Sequence, residues 1–157
     1  MVHHQPEGYH TVNSYLITDN AAKAIEYYKK VFGATERMRM QGPDGKIGHV
    51  ELIIGDSVVM LADQCPESKT PGQLGGSPVG LMLYVKDVDA TMKMATAEGG
   101  KVVRPVETQF YGDRSGTLID PFGHIWYVAT HVEDVTPEEM EKRAKESMKE
   151  KEHAKAK

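Results

Sequence analysis

The stretch Tyr111-Gly-Asp-Arg-Ser-Gly-Thr-Leu-Ile-Asp-Pro-Phe-Gly-His-Ile-Trp-Tyr-Val-Ala-Thr-His131 decides how this chain folds. Ser115 to Ile119 and Ile125 to Ala129 are rich in β-branched, aromatic and apolar residues, which suits two short strands. Between them, Asp120-Pro121-Phe122-Gly123 places a fixed φ at Pro121 and a residue tolerant of positive φ at Gly123, the chemistry of a tight turn. A closing hairpin is therefore expected, and the preceding chain holds an earlier copy of it.

Working outward, Thr11 to Thr18 reads as a first strand. Asp19 or Asn20 can then cap a helix, because a short side-chain oxygen accepts one of the free N–H groups there. Ala21, Ala24, Ile25, Tyr28, Val31 and Phe32 recur at three- and four-residue spacing, so Ala21 to Phe32 is a helix with one apolar stripe, stopped at Gly33. A strand around Thr35 to Met40 follows, then a turn at Gly42-Pro43-Asp44-Gly45. Ile47 to Ile54 and Ser57 to Leu61 form a hairpin across Gly55-Asp56. Residues 62–79, with three prolines and three glycines, read as a connector. The plan then repeats. Gly80 to Val85 is a strand, Asp87 or Asp89 caps a helix to Ala97, and Gly99-Gly100 stops it. Lys101 to Arg104 is a strand, and Pro105 to Gly112 is a loop that leads into the closing hairpin. Tyr15–Asp19 matches Leu83–Asp87 at an offset of 68, and Gly55–Met60 matches Phe122–Tyr127 at 67. The fold class is α+β, two βαβββ repeats over residues 9–61 and 80–131. Residues 132–157 form a C-terminal helix and polar tail, with Thr136 as N-cap, Pro137 at the first helical position and Glu139 completing a capping box.

Composition narrows the function. A net charge of −4 argues against nucleic acid as a partner. No apolar run approaches the ~18 residues of a membrane span, and residues 1–8 lack the cationic start and apolar core of a secretory signal. The single cysteine, Cys65, excludes an internal disulfide and suits a reducing, cytoplasmic setting. Nucleophile-elbow, phosphate-loop and dinucleotide-binding signatures do not occur.

The paired βαβββ plan, the helix Ala24-Ile-Glu-Tyr-Tyr-Lys-Lys-Val-Phe-Gly-Ala34 and the turn Asp120-Pro-Phe-Gly-His124 resemble the vicinal oxygen chelate superfamily. That group includes glyoxalase I, fosfomycin-resistance proteins, bleomycin-resistance proteins and ring-cleaving dioxygenases. The chain is most similar to its PhnB-like, glyoxalase/bleomycin-resistance branch, through Pro43-Asp-Gly-Lys-Ile-Gly-His-Val-Glu-Leu52, Gly75-Gly-Ser-Pro78, Gln109-Phe-Tyr-Gly-Asp-Arg114 and Thr130-His-Val-Glu-Asp-Val135. The likeness covers about residues 9–140. It implies two curved sheets with helices outside and a concave pocket inside, and a homodimer, with each pocket lined by one chain or by both. Metal-using members hold their ion on the first and fourth strands of each unit. Those places fall near Val12, Met60, Gly80 and Tyr127, none of which is a usual ligand for a hard divalent ion, so no metal and no other cofactor is expected. A two-residue slip of the first strand would bring His10 to one corner, which alone makes no site.

Three groups are candidates for chemistry. His49 and Glu51 share a strand face, opposite Val50, Leu52 and Ile54, and so point into the concavity as an acid–base pair or as ligands of a displaced metal. Registering the last hairpin on the first puts Arg114, Gly116 and Leu118 inside and turns Thr117 and Ile119 toward the helices. Arg114 would then grip an anion or pair with Glu51. Alternation sends Trp126 and Val128 to the helices and Tyr127 inward, where with Met60 and Tyr111 it would form a soft aromatic wall. His124 and His131 flank the last strand without a partner visible in sequence. The expected function is metal-free binding of a small polar or aromatic molecule; the alternative is a glyoxalase-like lyase or isomerase working through Glu51 and His49.

Overall fold

A computed structural model describes residues 2–155. Its order is β1 (Ser14–Thr18), α1 (Ala21–Phe32), β2 (Thr35–Gln41), β3 (Ile47–Ile54), β4 (Ser57–Asp63), α2 (Pro71–Leu74), β5 (Gly80–Tyr84), α3 (Val88–Ala97), β6 (Lys101–Thr108), β7 (Asp113–Ile119), β8 (Ile125–His131) and α4 (Pro137–Lys155). Two four-stranded sheets form, ordered β1-β4-β3-β2 and β5-β8-β7-β6. In each, the first strand pairs in parallel with the fourth while the remaining pairs are antiparallel. Strands β1 and β5 are therefore left as open edges. Among the described residues no helix is long and apolar enough to cross a membrane.

The helices end where the side chains dictate. Asn20 accepts from the Lys23 amide at 3.0 Å to open α1, and Gly33 closes it at φ +67°. Lys29 and Lys30 fall in its last turn, opposite the negative end of the helix dipole. Asp87 opens α3 by accepting from the Ala90 amide at 2.9 Å. The connector holds one element that composition hides. Thr70 and Gln73 make a reciprocal capping box around Pro71, enough for the single turn α2. At the last helix, Thr136 accepts from the Glu139 amide at 3.3 Å, but the Glu139 carboxylate turns to Arg143 at 2.8 Å instead of closing the box. The expected tail reaches residues 156–157, outside the described residues.

Two expectations are corrected. Strand β6 runs on through Pro105 to Thr108, where a loop was expected. It is an edge strand with register shifts at Val102/Arg104 and Arg104/Glu107, and a proline that cannot donate is tolerated there. The repeat offset at the first strand is 67 and not 68. Leu16 pairs with Leu61 and Leu83 with Val128, all four on the helix side, and Asn20 and Asp87 cap at the same spacing. Tyr15 therefore corresponds to Met82.

Both sheets turn their apolar faces to one shared helix layer. Leu16, Val50, Leu52 and Leu61 of the first unit share a single core with Leu118, Trp126 and Val128 of the second, through Ile25 and Tyr28 of α1 and Met92 and Ala95 of α3. Helix α1 accordingly buries a wider stripe than its sequence suggests, and Tyr27 reaches the Ala95 carbonyl of α3 at 3.3 Å. The two helices thus pack with both sheets in one core, and each sheet keeps a second face outside that core.

One polar knot sits inside this core. Asp120, buried in the β7–β8 turn, accepts from the Tyr28 hydroxyl at 2.6 Å and from the Trp126 indole at 2.8 Å through Oδ2. Through Oδ1 it accepts from the amides of Phe122 and His124, each at 2.9 Å. The His124 Nε2–H reaches back to the Ile17 carbonyl at 3.0 Å, so the turn is bonded to both α1 and β1 of the other unit. Replacing Asp120 by Asn sets an NH2 group against the Tyr28 and Trp126 donors or, in the other orientation, deprives the Phe122 and His124 amides of their acceptor. Asp120→Asn is expected to lose about 2–4 kcal/mol of stability, read as a lower midpoint in urea unfolding.

Candidate functional site

The outer face of the first sheet carries a cross-strand row, Tyr15–Met60–Glu51–Met38, set by the pairings of β1, β4, β3 and β2. Glu51 is only 5% exposed. Its Oε1 accepts from the Tyr9 hydroxyl at 2.5 Å and from the His49 Nε2–H at 3.3 Å. The Tyr15 hydroxyl lies 2.9 Å from His49 Nδ1, which makes a Tyr15–His49–Glu51 chain. Arg37 completes the group. The β2–β3 register slips between Glu36 and Met38, and this bulge re-aims Arg37 onto the outer face, 3.7 Å from Glu51 Oε2 and 4.7 Å over the Tyr9 ring. The Tyr9 hydrogen bond, then those from His49 and the Arg37 charge, outweigh burial and hold the Glu51 carboxyl below its usual range. By the same bond the Tyr9 phenol is raised.

The outer face of the second sheet carries Met82, Tyr127 and Thr117 in one row, with Tyr84 on the same face. Its carboxylate is Asp113, also 5% exposed. Asp113 accepts from the Tyr84 hydroxyl at 2.8 Å and from His131 Nδ1 at 2.7 Å, while His131 Nε2 meets Asp134 at 2.9 Å. Set between two carboxylates, first Asp113 and then Asp134, the imidazole is raised above its ordinary 6.5.

The expected site residues separate. His49 and Glu51 do share the outer face, in contact. Met60 and Tyr127 both face outward, but on separate sheets. Tyr111 sits in the β6–β7 turn with its ring against Phe110 at 5.3 Å. Arg114 is a correction. It lies on the helix side and forks onto Asp89 of α3 at 2.7 and 2.8 Å, and Gly116 and Leu118 share that side, against Met92 and in the core. The β3–β4 turn has two residues between paired positions whereas the β7–β8 turn has five, so transferring one register to the other slips it by one and exchanges the faces. Tyr9, Arg37, Tyr84 and Asp113 escaped the sequence reading. Strand alternation alone reaches Tyr15 and Tyr84; Tyr9 lies in irregular chain and Arg37 in a bulge, where no period applies.

A groove of ≈ 1350 Å³ runs between the open β1 and β5 edges, lined by Leu16, Phe32, Leu81, Leu83 and Trp126, and it includes none of the six expected site residues. At the four corners implied for a metal, the donors do not fit. Val12 is exposed, Met60 offers a thioether, Gly80 has no side chain and stands against the Tyr127 ring, and no group of three His, Cys, Asp or Glu among the described residues is arranged to hold an ion.

Residues 9–128 match the family model described as Glyoxalase/Bleomycin resistance protein/Dioxygenase superfamily, and the chain belongs to that superfamily. An uncharacterized protein of Mycobacterium tuberculosis (strain ATCC 25618 / H37Rv) is 43% identical over 135 residues, covering 83% of this chain and 79% of its own length. Among solved structures, TioX from Micromonospora sp. ML1 is similar at 25% identity and a TM-score of 0.59, with 77% of this chain and 99% of that one covered. A PhnB protein from Bacillus cereus shares the fold at 16% identity and a TM-score of 0.61, with 77% and 99% covered.

The raised His131 has a definite sign. Its charged form is favoured in the folded chain, so its contribution is complete below about pH 6.5 and is lost as pH rises through the higher folded value. Wild type is therefore expected to exceed His131→Asn in melting temperature by more at pH 5.5 than at pH 9, measured by calorimetry.

Proposed function

We propose that this protein binds a small polar or aromatic molecule, without a metal at the corners its family would use, in cups closed by two copies of the chain. The observation that carries this is that the Met60–Glu51 face and the Tyr127–Met82 face lie on separate sheets, each outside the shared core. In the assembly we propose, a second copy sets the first face of one chain against the second face of the other and so brings both walls to one ligand. Tyr127 and Met82 are 43% and 50% exposed, with Tyr15, Met40 and Tyr84 also open, a concentration of apolar surface on outward sheet faces that a lone chain leaves wet. The unpaired β1 and β5 edges beside an apolar groove favour the same assembly.

Binding is favoured over lyase or isomerase chemistry at Glu51 and His49. A base needs a free oxygen and a pKa near working pH. Glu51 has neither: Oε1 takes two hydrogen bonds, Oε2 faces Arg37, and the carboxyl is lowered.

Sedimentation at micromolar concentration is expected to show a homodimer; a monomer at all concentrations removes the cup. Calorimetric titration against flat polar aromatics is expected to find a binder that weakens about tenfold in Met60→Ala and in Tyr127→Ala, the order of one lost apolar contact wall. A ligand indifferent to both substitutions would place binding elsewhere.

A further inference from the structure

Residues 2–13 form no helix or strand, and their contacts with the first sheet centre on one side chain. Tyr9 lays its ring beneath the Arg37 guanidinium at 4.7 Å and drives its hydroxyl onto Glu51 at 2.5 Å. The rest of the strap is lightly held. Arg37 donates to the Glu7 carbonyl at 3.3 Å, Gln5 donates to the Tyr9 carbonyl, and Asn13 bonds His10 locally. Most of its side chains are exposed. A phenol is thus seated over a nearly buried carboxylate by a segment that contributes nothing to the core.

We propose that Tyr9 occupies a recognition subsite for a phenolic ring, and that a ligand bearing an aromatic hydroxyl takes its place as the strap lifts. The chemistry of the seat selects this class. Glu51 needs a hydrogen-bond donor, since removing Tyr9 without replacement leaves the buried carboxylate with only the longer contacts to His49 at 3.3 Å and Arg37 at 3.7 Å. An ammonium group would supply a donor, but Arg37 at 3.7 Å from the same carboxylate repels a second cation there. The guanidinium over the ring position rewards a π face instead. Met38 and Met60, directly across the ladder from Glu51, give the ring polarizable neighbours. A neutral ring with one acidic hydroxyl meets all three demands. The inference rests on the first-sheet face being a ligand surface and adds which chemical group that face takes.

The test uses 4-methylphenol, the tyrosine side chain itself, against toluene and benzylamine, with affinities from NMR titration of the full chain. Tyr9→Ala is expected to bind 4-methylphenol at least about tenfold more tightly than wild type, because nothing has to be displaced. In Tyr9→Ala, toluene and benzylamine are expected to bind at least about tenfold more weakly than 4-methylphenol, and Tyr9→Ala/Glu51→Gln is expected to lose most of that preference. In wild type, high 4-methylphenol is expected to shift the Tyr9 ring resonances toward those of an exposed tyrosine. Equal affinity of wild type and Tyr9→Ala, or equal affinity for 4-methylphenol and toluene, or a preference for benzylamine, overturns the proposal. A dimer that loses its ligand in Tyr127→Ala while Tyr9→Ala behaves as wild type overturns this subsite and leaves the cup. A monomer whose Tyr9→Ala variant takes 4-methylphenol does the reverse.

Discussion

Asp120 ties the two halves of the molecule together. Its carboxylate sits in the turn of the second unit, yet it receives the Tyr28 hydroxyl from the first unit's helix, and the same turn sends the His124 imidazole to the carbonyl of Ile17. A buried carboxylate is tolerated when its lone pairs are used, and here four donors use them. Burial pushes the Tyr28 phenol well above its ordinary range, so it remains a donor throughout the physiological range. Around the knot, Phe32, Phe122 and Trp126 pack against Tyr28 at ring separations of 5.5 to 6.2 Å. The turn also leans on the connector, where Gly123 at φ +91° leaves no room for a Cβ beside Pro71.

From that knot follows the placement of everything functional. Helices packed with both sheets in one core leave each sheet one outward face. Each has solved the same problem in its own way: a carboxylate with little exposure, Glu51 or Asp113, held by a tyrosine hydroxyl and a histidine. The two are not repeats of one position. With helix-facing Leu52 matched to Leu118, Glu51 corresponds to Thr117, so the carboxylates sit at different depths of their sheets. The duplication supplied the scaffold, and the polar clusters belong to each half separately.

The misplacement of Arg114 shows how fine this construction is. Side chains alternate along a strand, so a hairpin register wrong by one residue exchanges every inward and outward assignment. The local sequences of β7 and β8 suffice to make them strands. The number of residues in the turn between them decides which face meets the helices, and the β7–β8 turn is three residues longer than the β3–β4 turn, five against two.

Element types, caps and the duplication are written in the chain, because they depend on interactions a few residues long: Asn20 on Lys23, Asp87 on Ala90, the apolar stripe of α1, the alternation of β3 that sets His49 beside Glu51. The sharing of one helix layer by both sheets belongs to the tertiary structure, as do the bulge that turns Arg37 outward and the crossing of 42 residues that sets Tyr9 on Glu51. These depend on long-range packing and on strand irregularity, neither of which leaves a period in the sequence. The physical reason is one of range: hydrogen bonds to near neighbours are specified by spacing, whereas which surface a sheet buries is settled only when the whole core closes.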